Sequence, residues 1–107
     1  MSSDTQLVLC TVPDQDTASQ LARLVVEQKL AACVNIVPQL VSVYEWEGKI
    51  EQDNEVLLLI KTQAPCFEAL QNLLQQAHPY DVPEIIALDI NAGLPAYLNW
   101  IKDVTEN

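Results

Sequence analysis

The sequence predicts an α+β sandwich in which two helices pack on one face of an antiparallel sheet. Three observations lead there: β-branched runs alternate with amphipathic stretches in the order βαββαβ, a long hairpin sits in the middle, and only two glycines occur in 107 residues. Half of the residues are apolar, which is enough for one core, and the length suits a single domain over residues 1–107.

Residues 6–12 (QLVLCTV) read as a first strand, closed by Pro13 and Asp14, a breaker followed by a helix-capping residue. Over 14–30, Ala18, Leu21, Ala22 and Val25 recur at helical spacing, with acids at the start and Lys29 near the end, as the helix dipole favours. β-branched residues return over 33–46, where Pro38 implies a bulge because it cannot donate a ladder hydrogen bond. Gly48 permits a turn, and the chain runs back over 49–62. Pro65 starts a second helix with the apolar stripe Phe67, Leu70, Leu73, Leu74 and Ala77. After the two-proline connection at 78–83, residues 84–91 read as a fourth strand, and Leu94, Tyr97, Leu98 and Ile101 mark a short terminal helix in which Trp100 packs.

This order is the split βαβ of ferredoxin-like folds. One face of such a sheet ordinarily meets water, yet the third strand is apolar on both parities, Leu58 and Ile60 on one side and Leu57 and Leu59 on the other. No helix is left over to cover the second face, so another copy of the chain is expected there.

The formal charge is −10, from fifteen acidic against five basic residues. Nucleic acid and anionic membranes, which need clustered cations, are thereby argued against as partners, while metal cations are attracted. Residues 1–5 are polar, with no secretory signal, and the longest apolar run is far short of the ~20 residues of a membrane span. A cytoplasmic chain is expected. Cys10, Cys33 and Cys66 share no CxxC spacing, so free thiols are expected, with Cys33 packed in its strand and Cys66 in the first turn of a helix, where the dipole raises thiol reactivity. The acidic run Glu45, Glu47, Glu51, Asp53 and Glu55 lacks calcium-loop spacing and reads as a solvated hairpin face.

The segments KLAACVNIVP (29–38), SVYEWEGKI (42–50), LLIKT (58–62), HPYDVPEIIAL (78–88) and YLNWI (97–101) resemble the hallmark segments of the CutA family, in order and spacing. The resemblance implies a homotrimer whose long hairpin reaches its neighbours, and a link to tolerance of divalent metal ions, copper above all. It also implies copper ligands at Cys10 and His78, a thiolate and an imidazole suited to that metal. Cys10 shares strand parity with Val8 and Val12, so a buried thiol acting as a small hydrophobe is the other reading. Tyr44, Trp46, Lys49, Glu55, Lys61, Tyr80 and Glu84 belong to the same segments, and the resemblance implies that they gather around an inter-subunit cleft. A lysine beside carboxylates in such a cleft would bind an anion or move protons; interface salt bridges and aromatic anchors are the alternative.

Fold kinship with PII signalling proteins adds the reading of a trimer that senses a small molecule. An enzyme using Cys10 or Lys61 with His78 as base has no catalytic fingerprint behind it: no P-loop, dinucleotide motif or nucleophile elbow occurs.

Overall fold

The computed structural model describes residues 4–105, so most of the polar start at 1–5 lies outside the described residues. The elements are β1 (Thr5–Val12), α1 (Gln15–Glu27), β2 (Cys33–Trp46), β3 (Lys49–Gln63), a 3₁₀ turn (Ala64–Cys66), α2 (Phe67–Ala77), β4 (Ile86–Asp89) and α3 (Pro95–Thr105). The sheet has the order β2-β3-β1-β4 with every neighbouring pair antiparallel. This is the ferredoxin-like α+β architecture.

Asp14 caps α1 by accepting the Thr17 amide at 2.7 Å, which satisfies an otherwise orphaned donor. The helix stops at Glu27, earlier than its apolar spacing implies, because Lys29 turns left-handed at φ 59° and the Leu30 amide reaches back to the Val25 carbonyl. Lys29 therefore lies past the helix end. Pro65 sits in the 3₁₀ turn rather than in α2, and β4 is half the expected length because β1, its partner among the described residues, aligns Ile86 to Asp89 with Leu9 to Gln6.

Parity on the strands sets the layers. Val8, Cys10 and Val12 of β1 and Val56, Leu58 and Ile60 of β3 point to one face, where Ala18, Leu21 and Val25 of α1 and Leu70 and Leu74 of α2 close the core. The other face carries Leu7, Leu9, Leu57 and Leu59, all half-buried, beside Ile86 and Leu88, each about half exposed. Among the described residues only α3 crosses it, at one end, where Ile101 is fully buried and Gln63 donates to the Thr105 hydroxyl at 3.0 Å. Trp100 packs its ring on Tyr97, yet both stay about two-fifths exposed, so α3 is less fully packed than its spacing implies.

The register of β2 on β3 slips between Val37 and Leu40, at Pro38, and Gln39 takes φ 63° to absorb the extra residue. Beyond this bulge the two strands run on as a hairpin, giving the molecule a long axis of 44 Å. Glu47 and Gly48, at φ 50° and 80°, form its two-residue turn, in which both central residues must be left-handed to match the twist of the strands.

Candidate functional site

A cavity of about 600 Å³ opens along one side of this hairpin. The bulge re-aims β2 so that Ser42, Val43, Tyr44 and Trp46 form one wall; Asp53 and Glu55 of β3 form the second, and Tyr80, Asp81, Val82 and Glu84 of the two-proline connection close the third. Thr11, at the end of β1, contributes to its lining as well.

Hydrogen bonds hold the walls together. The Tyr80 hydroxyl donates to Glu55 Oε2 at 2.8 Å, and the Tyr44 hydroxyl donates to Asp53 Oδ2. Desolvation and the Glu55 carboxylate push the Tyr80 phenol well above its usual range. The bond to Asp53 pushes Tyr44 up to about 12. Glu55 is only 8% exposed, yet it has no ion pair: the salt bridge among the described residues joins Arg23 to Glu27 on the surface of α1.

Five of the seven residues expected around a cleft therefore line this cavity: Tyr44, Trp46, Glu55, Tyr80 and Glu84. The two lysines do not. Lys61 lies six residues beyond Glu55 on β3, roughly 20 Å away at the rise of an extended strand, where it donates to Asn35 Oδ1 and approaches Cys33 Sγ at 4.0 Å. Lys49 pairs with Trp46 at the hairpin tip without reaching the lining. A lysine-lined anion site is thus not what the cavity offers. Asp53 and Asp81 supply what sequence reading missed; Asp53 looked like part of a solvated acidic face. Counting the hairpin register back from Glu47 and Gly48 would have placed Asp53 opposite Ser42 and diagonal to Tyr44.

Cys10 and His78 sit behind the cleft. Cys10 is fully buried in the helix-side core, and desolvation, with Glu84 and Glu55 nearby, pushes its thiol up to about 12. His78 uses both ring nitrogens. Nε2 donates to the Thr11 carbonyl at 2.8 Å, since a carbonyl can only accept, and Nδ1 accepts the Tyr80 amide at 3.1 Å. As placed, His78 offers no free lone pair, and the Cys10 thiol donates to the Thr11 carbonyl at 3.9 Å. No group of three or more His, Cys, Asp or Glu side chains converges as a metal site among the described residues. Cys33 lies beside Lys61 and Tyr97, and Cys66 donates to the Thr105 carbonyl at 3.6 Å. All three thiols are free.

Residues 6–104 match the family model of the CutA1 divalent ion tolerance protein. The chain is 52% identical to the mouse protein named Protein CutA over 97 residues, covering 91% of this chain and 55% of the relative, so it spans about half the length of that relative. It is 47% identical to the Thermus thermophilus divalent-cation tolerance protein CutA over 100 residues, covering 94% of this chain and 97% of the relative. The crystal structure of CutA from Xylella fastidiosa superposes with a TM-score of 0.95 at 44% identity, covering 97% of this chain and all of that one.

Proposed function

The chain belongs to the CutA1 divalent ion tolerance family, which gives it a role in divalent-cation tolerance, and we propose that it fills this role as a cytoplasmic homotrimer that holds copper or a similar divalent ion weakly. The observation that carries this reading is the sign of the cleft. Asp53, Glu55, Asp81 and Glu84 line it and no lysine or arginine does, so a cation is drawn in and an anion repelled. The alternative of a PII-like sensor of nucleotides or other anions loses support for the same reason.

Weak binding follows from the scatter of the carboxylates, which need rearrangement to converge on one ion. Cys10 with His78 form the competing ligand set, which requires a buried thiol to ionise and His78 to surrender a hydrogen bond. The trimer is supported by the apolar second face of the sheet, which α3 covers only at one end. No helix among the described residues is long and apolar enough to cross a membrane.

Copper titration of the reduced protein tests the reading. The pair Asp53→Asn with Glu84→Gln is expected to weaken binding, while Cys10→Ala and His78→Ala leave it unchanged. Loss in the latter two alone would return the site to Cys10 and His78. Unchanged affinity in all variants would remove both assignments.

A further inference from the structure

We infer that Cys33 and Lys61 form a redox site, in which a peroxide oxidises the thiol and the lysine amine then closes a reversible sulfur–nitrogen bond between β2 and β3. The two residues stand directly opposite each other in the β2–β3 register, so their side chains rise from neighbouring points on one face of the sheet. Lys61 Nζ lies 4.0 Å from Cys33 Sγ and donates to Asn35 Oδ1, which holds the end of the flexible lysine stem over β2. No carboxylate claims the ammonium: among the described residues the ion pair joins Arg23 to Glu27. Tyr97 of α3 faces the same sulfur, and burial, followed by the proximity of Cys33, raises its phenol above the ordinary value. This corner of the second face is thus occupied by α3. Cys33 and Lys61 are half-buried, while Asn35 and Tyr97 are exposed, so a molecule as small as hydrogen peroxide reaches the thiol.

The other two thiols lack this pairing. Cys10 is fully buried, and Cys66 donates to the Thr105 carbonyl. At Cys33 the neighbouring group is an amine, so a sulfenic acid formed there meets a nucleophile at once. In the first step the thiolate attacks one peroxide oxygen, the O–O bond breaks, and the second oxygen leaves as water. Sulfur is oxidised and the peroxide reduced by the same electron pair. Lys61, having passed its ammonium proton to solvent, then attacks Sγ with its nitrogen lone pair. The S–O bond breaks, and the hydroxyl leaves as water with a proton from the nitrogen. Thiol, amine and one peroxide thereby give one S–N bond and two waters, and a thiol reductant reverses the change. Sulfenic acids close on backbone nitrogens in the same way, and a side-chain amine is the stronger nucleophile. Closing the gap requires Lys61 to leave Asn35, which its rotatable stem permits.

None of these residues lines the acidic cleft, so the site is independent of the copper reading. The test treats the reduced, metal-stripped full chain with hydrogen peroxide and follows it by intact mass and peptide mapping. A loss of about 2 Da, restored by dithiothreitol, is expected, with the segments carrying Cys33 and Lys61 joined. Lys61→Arg, which keeps the charge but not the amine nucleophile, is expected to gain about 16 or 32 Da at Cys33 instead. Cys66→Ser should leave the link intact. Unfolding in urea should cut its yield about tenfold or more, since proximity and not residue type drives the closure. Oxidised Cys33 beside an unmodified Lys61 in the native chain, a link to another residue, or equal yields in urea and in the native state would each overturn the site. A gain of about 14 Da, from an oxygen retained between nitrogen and sulfur, would overturn the direct bond.

Discussion

The Tyr80 hydroxyl and the Glu55 carboxylate meet at 2.8 Å, tying the connection after α2 to the middle of β3 at the floor of the cleft. Removing the donor leaves a buried acceptor unsatisfied, which costs about 1–3 kcal/mol. Tyr80→Phe is expected to lower the unfolding free energy by that amount in a denaturant titration. Combined with Glu55→Gln, it should cost less than the sum of the two, because the two residues share one interaction. Strict additivity would show that the bond does not hold the cleft together.

Alkaline pH should unfold the protein through Cys10 and the tyrosines. Burial raises the Cys10 thiol from 9.0 to about 12, and the bond to Asp53 raises Tyr44 from 10.0 to about 12. Both folded values lie above the unfolded ones, so the native state holds its protons more tightly, and stability is full below pH 9 and lost as pH rises toward 12. Tyr80 and Tyr97 shift in the same direction. The melting temperature should decline over that window, and in Cys10→Ala the decline should begin later. In the native protein Cys10 should react with a neutral thiol reagent more slowly than Cys33 and Cys66, which are half-buried. Equal rates for all three would contradict the burial of Cys10.

Acid should act on the start of α1. The Thr17 amide holds the Asp14 carboxylate below its usual value of 3.8, so its contribution is present above that pH and lost as pH falls through the lower folded value. Asp14→Ala should lower the melting temperature at neutral pH and flatten its acid dependence; an unchanged acid limb would show that the cap contributes nothing.

Most of the fold was legible because its signals are local. Pro38 announced the bulge, Gly48 the turn, and β2 begins and ends where the β-branched run does. The misplacements were tertiary in origin. Nothing local announces that Lys29 turns left-handed, and β4 is cut short by the register of its partner rather than by its own residues. The cleft was half legible. Tyr44, Trp46, Glu55, Tyr80 and Glu84 stood out in the segments, but whether a lysine joins them depends on distance along β3, which segment resemblance does not measure. Cys10 and His78 showed a similar limit: residue type suits copper, but the burial of Cys10 and the hydrogen bonds of His78 are set by the whole fold and not by residue type.

The parity of β3 separates folding from assembly. Leu58 is fully buried under the helices, so Leu58→Ala should cost about 2–5 kcal/mol in stability. Leu59, half-buried on the opposite face, should tolerate change in the subunit core, and Leu59→Glu should instead dissociate the assembly. A Leu59→Glu variant of unchanged mass and stability would place the interface elsewhere.

Assembly turns on the second face of the sheet being covered by other copies of the chain, since a lone subunit leaves Leu7, Leu9, Leu57 and Leu59 only half-buried and Ile86 and Leu88 about half exposed. Covering such a patch contributes several kcal/mol at ~25 cal/mol per Å² of apolar area, comparable with the stability of a small domain. Light scattering behind a sizing column measures this directly. The account predicts a single species of three times the 11.9 kDa chain mass. A dimer would contradict the trimer while leaving the face covered, and a stable monomer at micromolar concentration would contradict the account itself.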